Sequence, residues 1–568
     1  MWPALHGLAA SQTLGGGQLA DAYADVIVYS ASPGACAAAI EVARHGRSVI
    51  IVGGWREDRV GGMMSGGLGA TDLRNEAAIG GIGREIFDAI NAHYFPGGGP
   101  YTYRFEPSVA QAAFEAKLAE HDIPVVWTRG IVSCVREGTA IRRIKTREGR
   151  TFACRILLAS GYEGDEVAVA GIPYRIGREG VGEYGEPTAG VRRNFNGRHQ
   201  FWGPEGVMNL SPFRVAGNAA SGLLPGMSPA PGPIGSADEA VQAYNFRLCL
   251  STNPDRRRPL MTSPPEGYDP ARYELLGRYL AEMARLGIAY YPRVSVPTHF
   301  LLLESLPGGK LDGNARGPFS TDPFGLSWAY PDAGFRATGA IDFDLRESIW
   351  QQHRQHVEGL FWFAQSSGDS RVWPDLREEW RTYWLANDQF LQPGFGDPVG
   401  WPSQLYVREA RRMVGDFVLT EQDITRPEWQ ETTYADRVIG LASYEADSHH
   451  VRRYAMPAPG TPSGHRAMNE GDFFFAVGGE NRMVPIPYDV MLPPRRACTN
   501  MLATWAVSAT HVATGLTRME PTHMALGHAA GLAAVLALDG IRQHAVHDIN
   551  VAELRAQLRA EGAALDDI

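Results

Sequence analysis

Cysteine is scarce in this sequence, and no long apolar run occurs in it. The five cysteines lie far apart over 568 residues and form no CxxC pair, so neither a disulfide framework nor a zinc site is indicated. Without a run of 18 apolar residues, no membrane-spanning helix is predicted. The GxxxxGK[ST] loop of ATPases and the GxSxG elbow of serine hydrolases are also missing. We therefore expect neither of those two enzyme classes.

No strongly basic stretch stands out either. The chain has 53 Lys and Arg against 63 Asp and Glu, a formal net charge of −10, so no nucleic-acid partner is predicted. Residues 1–17 lack the basic and apolar regions of a secretory signal, which predicts a cytoplasmic protein or the mature form of an exported one. Glycine, by contrast, is abundant: there are 65, where an average composition gives about 40. Many tight turns and close backbone contacts follow.

The N-terminal part has the pattern of a βαβ unit. A β-branched run at 24–30 predicts a buried strand, a turn of small residues follows, and an alanine-rich helix is predicted from Cys36 to about His45. Gly46 suits the end of that helix, and a second strand is expected over Ser48–Val52. A unit of about 30 residues with this order is typical of a dinucleotide-binding domain. The predicted fold class is therefore α/β.

The turn of this unit departs from the usual dinucleotide-binding motif. Three glycines normally serve the bend, the approach of phosphate and the packing of helix on strand. Here Ser30, Ser32 and Ala35 stand at those positions. All three are small, so close approach stays possible, but the motif by itself leaves open a βα turn without any ligand.

The acid that usually ends the second strand and binds a ribose is missing too. Gly53 occupies that position. Glu57 or Asp58, in the loop that follows, is a possible substitute, and the alternative for both is a solvated turn. We favour the solvated turn.

The chain divides into three stretches by composition. We predict the first part of the nucleotide-binding domain over 24–185, an inserted α+β substrate or cap domain over 186–400, and a return to the first domain over 401–560. The middle stretch is rich in Pro, Trp, Tyr and Asn, whereas a strand at 500–507 and a helix at 521–538 resume the earlier pattern. Further helices are expected at 79–93, 107–121, 269–286, 345–365 and 375–388.

Short motifs in a fixed order carry a family resemblance along nearly the whole chain. They are the glycine-dense loop at 61–72, Tyr162-Glu-Gly-Asp165, Val241–Leu250, Gly309–Asn314, Leu405–Gly415, Asp447-Ser-His449, Ser508–His511, Arg518-Met-Glu-Pro521 and Met524–Gly531. With them, the chain resembles the bacterial FAD-dependent oxidoreductase family of the glutathione-reductase-like flavoprotein class. The family usually has glycine at positions 30, 31 and 35, Glu at 53 and Asp at 159, and this sequence has none of these.

The resemblance implies a glutathione-reductase-type, Rossmann-like domain that binds FAD, with the isoalloxazine meeting the inserted domain. The helix near Pro521 would point its N-terminus at the N1–C2=O edge of the flavin, where it stabilises negative charge. The residues expected to contact FAD are Ser30, Ser32, Pro33, Gly34, Ala35, Gly53, Gly62, Met63, Met64, Ser65, Gly66, Val132, Ser160, Gly527, Ala530 and Gly531.

The implied activity is oxidation of a polar small molecule by hydride transfer to flavin N5. Such a step needs a base, and His449 and His511 lie in motifs that the resemblance puts near the flavin. Arg518 is the expected anchor for a substrate carboxylate. Each histidine has the alternative of a hydrogen-bonded core residue. Arg518 has the alternative of an ion pair with Glu409 or Glu520.

Two further readings stay open at this stage. The charges of 408–412 alternate along a predicted helix, which favours an internal ion-pair network. The missing turn glycines and acids leave open the alternative that the chain is a flavin-free relative, acting as a lyase, an isomerase or a binding protein in the same cleft.

No HxxxH or HExxH spacing occurs, so no metal site is predicted. The sequence identifies neither the substrate nor the electron acceptor.

Overall fold

A seven-stranded sheet forms the centre of the first part of the chain. The computed structural model describes residues 22–193, 197–288, 301–315, 325–392, 394–426, 432–478, 483–540 and 544–565. In space the strands follow the order β3-β2-β1-β6-β5-β4, and a later strand, Met501–Ala503, pairs with β6. The six N-terminal strands are β1 (Ala22–Tyr29), β2 (Val49–Gly53), β3 (Val125–Trp127), β4 (Ile131–Glu137), β5 (Ala140–Thr146) and β6 (Thr151–Ala159).

The sheet is parallel except for one ribbon. β1 runs parallel to β2 and β6, β2 to β3, and Met501–Ala503 to β6, whereas β4 and β5 pair antiparallel. β1 is buried on both faces, which explains its nearly unbroken apolar run. The predicted α/β class with a Rossmann-like parallel sheet is confirmed.

The predicted helix after β1 is present as α1, but it begins at Pro33, three residues before the predicted Cys36, and ends at Arg44. Ser32 Oγ accepts the N–H of Ala35 at 3.2 Å, Pro33 fills the first helical position, and Gly46 takes up φ +68° just after the end. The helices of this part are α1 (Pro33–Arg44), α2 (Gly62–Ser65), α3 (Gly81–Tyr94), α4 (Pro107–Ala119), α5 (Asp165–Val169) and α6 (Val181–Tyr184).

The middle of the chain contributes a second, four-stranded sheet in the order β11-β12-β10-β13. Its strands and short neighbours are β7 (Tyr174–Arg175), β8 (Trp202–Gly203), β9 (Gly206–Val207), β10 (Leu248–Ser251), β11 (Leu302–Leu306), β12 (Lys310–Asn314) and β13 (Trp384–Leu385). The helices are α7 (Glu274–Arg285), α8 (Leu326–Asp332), α9 (Phe335–Thr338), α10 (Phe343–Gln365) and α11 (Pro374–Arg381). The helix predicted to 388 is too long, because Trp384 pairs with Ser251 in the sheet.

The last third of the chain adds β21 to the seven-stranded sheet and contributes several two-stranded pairs. Its strands are β14 (Arg412–Met413), β15 (Val438–Ala442), β16 (Ala446–Ser448), β17 (Arg452–Pro457), β18 (His465–Glu470), β19 (Phe473–Phe475), β20 (Val484–Pro487) and β21 (Met501–Ala503). Its helices are α12 (Glu421–Thr425), α13 (His511–Thr517), α14 (Glu520–Asp539) and α15 (Val551–Ala560). The helix predicted through 408–412 is wrong: this segment is non-helical and ends in β14, which pairs with β7.

Helix α14 lies against α1 with the two backbones in contact. A Cβ on Gly527 would overlap the carbonyl oxygen of Gly34, and one on Gly531 would lie 2.6 Å from that of Ala38. Glycine is required at both places for this reason. α14 is long and apolar enough to cross a membrane, but 83% of its apolar window is buried inside the fold, as in a core helix.

Candidate active site

A strongly polar cleft of about 530 Å³ opens beside the start of α14. It is lined by the segment after the glycine-dense loop, by β11 and by residues at the end of β16 and of α13. Three carboxylates, three aromatic rings, two imidazoles and five guanidinium groups face it or edge it. The charged and imidazole side chains are Asp72, Arg74, Arg104, Arg198, His199, Arg247, Glu304, Asp447, His449 and Arg518.

The back wall of the cleft holds more cations than anions. Arg518 Nη2 donates to Asp447 Oδ2 at 2.8 Å, and its Nη1 donates to the hydroxyl of Tyr406 at 3.2 Å. Arg198 pairs with the same carboxylate. Behind them, the buried Arg408 donates to the amide oxygen of Asn245 and to a carbonyl, and within the described ranges it forms no ion pair. Arg198 and Arg518 therefore share the carboxylate of Asp447, with Arg408 behind them.

His449, one of the two predicted bases, lines this cleft. Burial, with the charges of Arg408, His199, Arg518 and Arg198, holds its pKa well below the ordinary value, so the ring is neutral near pH 7. Its Nδ1 is buried and has no hydrogen-bond partner in the described part of the chain. The nearby Asp447 carboxylate pairs with Arg198 and Arg518 instead of with this ring.

A second imidazole in the cleft, His199, was missed by the sequence reasoning. Its Nδ1 lies 3.0 Å from Asp472 Oδ2, and the same oxygen accepts the backbone N–H of His199 at 2.9 Å. The two contacts fix the ring beside His449. His199 lies in a long irregular segment and belongs to none of the motifs that carry the family resemblance.

His511, the other predicted base, lies outside the described lining of the cleft. Its Nδ1 is 2.8 Å from both oxygens of Glu409, and its backbone N–H donates to Glu179. Arg412 binds Glu179 at 2.7 Å and lies 3.4 Å from Glu409. The ion-pair network expected for 408–412 is thus present, and His511 is part of it. A catalytic role for His511 stays a prediction.

A family comparison settles the class of the chain. The profile of the family described as FAD dependent oxidoreductase matches residues 25–558. This chain belongs to the FAD-dependent oxidoreductase family. The predicted family and enzyme class are thereby confirmed, with FAD as the cofactor of that class. A search of curated proteins finds no match.

Solved flavoenzymes give only partial likenesses to this family member. Pseudomonas aeruginosa PqsL is 16% identical, with 24% of this chain and 42% of that chain covered and a TM-score of 0.18. The flavin-dependent brominase Bmp2 is 14% identical, with 31% of this chain and 48% of that chain covered and a TM-score of 0.22. Thioredoxin reductase from Streptococcus pyogenes is 16% identical, with 28% of this chain and 40% of that chain covered and a TM-score of 0.17. The chain thus spans less than half the length of each.

The turn that the family uses for the pyrophosphate of FAD is filled here. Ser30, Ser32 and Ala35 are each fully buried. Ser32 Oγ donates to the carbonyl of Ser160 at 3.0 Å, which joins the ends of β1 and β6 across the expected path of the cofactor. A Cβ on Gly34 would overlap the ring of His523. Pro33 is buried as well. The residues predicted to contact FAD at this turn therefore lie together, but they pack on other parts of the protein.

The glycine-dense loop is filled in the same way. The hydroxyl of Tyr162 accepts the N–H of Met63 at 2.9 Å and would overlap a Cβ on Gly62. Met64, Ser65 and Gly66 are buried, with Gly66 against the side chain of Gln404.

Other predicted contacts point elsewhere. Gly527 and Gly531, expected to pack on the flavin ring, pack on the backbone of α1, and Ala530 is buried beside them. A Cβ on Gly53 would lie 2.5 Å from Trp127. Val132 is 36% exposed on the ribbon strand β4. In this structure the residues present do not fit FAD.

One cluster of possible metal ligands lies far from the cleft. Glu41, His528 and Glu561 place their side-chain oxygens and nitrogens within 4.8 Å of one another, near the ends of α1 and α15. His528 Nε2 is 2.8 Å from Glu561, so an ordinary hydrogen bond joins part of the group. The prediction of no metal site stays a prediction.

Proposed function

We propose that the polar cleft binds a small anionic molecule, and that this molecule is the polar substrate expected for the family. The observation that carries the proposal is the sharing of Asp447 by Arg198 and Arg518, with Arg408 behind them. Guanidinium groups left with unused donors in a concave site favour a carboxylate or a phosphate. A substrate anion would restore the local balance of charge.

An anion in this position also changes what His449 does. Without the anion, the surrounding cations hold its pKa well below the ordinary value and make it a poor proton acceptor. A negative charge beside the ring opposes that effect and raises the pKa towards the ordinary range. His449 would then accept a proton at Nδ1 from the bound molecule, while the Asp472-anchored His199 supports the ring.

Oxidation of this substrate by hydride transfer to flavin N5 remains the family-based proposal for the reaction. The turn and the glycine-dense loop are packed by side chains of the protein itself, at the positions where the resemblance places FAD. The same observation favours a second candidate, proton-transfer chemistry of the lyase or isomerase kind, which needs only the arginines and His449. Both candidates require the anion.

Binding of the anion is tested on the full chain by thermal unfolding. Malate, succinate, citrate and inorganic phosphate are titrated, with glucose and sodium chloride as neutral and ionic-strength controls. We expect at least one carboxylate or phosphate to raise the unfolding temperature in a saturable way. The increase should vanish in Arg518→Gln and persist in Arg104→Gln, since Arg104 lies half-exposed at the rim. A chain that responds to glucose but to none of the anions contradicts the proposal.

A further inference from the structure

A buried carboxylate occupies the turn between β1 and α1. Glu57 Oε1 accepts the hydroxyl of Ser30 at 2.6 Å, and Oε2 accepts the backbone N–H groups of Ala31 at 2.9 Å and Gly54 at 2.6 Å. The residue is only 7% exposed, although a solvated turn was the favoured expectation. That expectation is wrong, because the loop after β2 folds back over the turn.

The partners of this carboxylate are those of an anion site. Backbone N–H groups in a turn that leads into a helix bind phosphate in many proteins, because the donors converge and the helix end is positive. Glu57 accepts one N–H group of this turn, that of Ala31, together with the N–H of Gly54 after β2 and the hydroxyl of Ser30, and across the described ranges it has no ion pair. The carboxylate thus takes the kind of contacts that a phosphate oxygen would take. Burial raises its pKa, and the hydrogen bonds from Ser30, Gly54 and Ala31 oppose that rise.

The other end of the expected cofactor path is closed by Tyr162. Besides accepting the N–H of Met63, its hydroxyl donates to Glu520 Oε1 at 2.9 Å. Glu520 is buried in the first turn of α14, so an internal carboxylate stands at the helix end that the family points at the flavin. Trp505 packs its ring on Tyr162 at 4.6 Å and covers the gap.

We propose that Glu57 and Tyr162 keep the cofactor site closed from within, and that the folded chain takes up no FAD. Glu57 acts as an internal substitute for the phosphate, and Tyr162 fills the space between the glycine-dense loop and α14. The inference goes beyond the proposed anion binding and can fail separately from it, since the anion cleft is lined by other residues. If the inference holds, the hydride-transfer candidate is excluded and the proton-transfer candidate remains.

The first test measures flavin on the full chain. The protein is purified from cells supplied with riboflavin, incubated with excess FAD and freed of unbound ligand. Absorbance near ~370 and ~450 nm is then recorded, and the supernatant and pellet after acid precipitation are assayed separately. We expect less than about 0.05 flavin per chain in both fractions. About one flavin per chain, released or covalent, overturns the proposal.

The second test concerns the carboxylate itself. In Glu57→Ala the convergent donors lose their anion, and we expect the unfolding temperature to fall by several degrees. Inorganic phosphate should restore much of the loss, whereas chloride at equal ionic strength should not. The matched control is Glu148→Ala, at an exposed turn, where neither effect is expected. An unfolding temperature of Glu57→Ala equal to that of the control removes Glu57 from the proposal, and the flavin measurement stands even if this variant does not fold.

Discussion

The rings of His199 and His449 lie 4.3 Å apart and are inclined by only 32°. Burial, the neighbouring guanidinium groups and His199 together hold the pKa of His449 well below the ordinary value. Asp472 holds His199, whereas His449 has an unpartnered Nδ1 within the described structure. The pair therefore has one fixed ring and one ring whose protonation depends on what enters the cleft.

The protonation of His449 should respond to a bound anion. In the free protein we expect its ring proton signals to stay unchanged from pH 8 to about pH 6, because its pKa lies well below the ordinary value. With a saturating anion, the same signals should titrate nearer neutral pH. NMR of histidine-labelled protein measures this, with His449→Gln to assign the signals. A free-state pKa close to 6.5 would contradict the charge argument.

Lysine should not replace Arg518 in anion binding. Its guanidinium donates to Asp447 and to Tyr406 from two different nitrogens. The single ammonium nitrogen of a lysine cannot keep both contacts and still bind a ligand. We expect Arg518→Lys to weaken anion binding by about 10–100-fold, the range for one charged hydrogen bond. Calorimetry on Arg518→Lys and on Arg104→Lys compares the two sites. Unchanged affinity in both variants would show that only net charge matters, because Arg→Lys preserves it.

Stability should depend on pH through Glu166. This carboxyl is buried behind β6, and desolvation raises its pKa to about 8. Its protonation therefore stabilises the fold fully below about pH 4.5, and that contribution is lost as the pH rises through about 8. At 1.36 kcal/mol per unit the effect is at most about 5 kcal/mol. Glu166→Gln keeps an acceptor for the N–H of Gly161.

The comparison is made by thermal unfolding between pH 5 and pH 8. Relative to the parent chain, Glu166→Gln should gain stability as the pH rises, whereas Glu148→Gln should follow the parent at every pH. A constant difference across the range would show that Glu166 does not titrate differently in the folded state.

The contact between α1 and α14 should not tolerate a methyl group. Gly527→Ala places a Cβ on the carbonyl oxygen of Gly34, so we expect a loss of about 1–3 kcal/mol and a lower unfolding temperature. Gly182→Ala is the control, because a Cβ there meets no atom within 4 Å in the exposed helix α6. An unfolding temperature of Gly527→Ala equal to that of the control would mean that the helices are further apart than described.

Much of the fold could be predicted because local signals agree with it. Apolar runs and Gly46 at the end of α1 predict the first βαβ unit, although the helix begins at Pro33 in the segment predicted as a turn. The later strand at Met501–Ala503 has the same apolar character. The helix expected at 408–412 failed for a physical reason. Its arginines and glutamate are held by buried partners from distant strands and loops, and such tertiary pairing overrides a local charge pattern.

The site was predictable only in part. Arg518 and His449 were found through motifs, and both line the cleft. His199 was not, because its partner Asp472 lies more than 270 residues away in sequence. Glu57 was taken for a surface residue, since nothing local shows that its loop folds inwards over the turn.

The pairing of β21 with β6 also affects the order in which the protein can be made. β6 ends at Ala159, and its second parallel neighbour, after β1, arrives with Met501, about 340 residues later. At roughly 5–20 residues per second, the edge of Leu157–Ala159 that β21 pairs stays open on the ribosome for tens of seconds. A nascent chain with an open apolar strand edge for so long is a natural client for chaperones, and its yield in cells should depend on them.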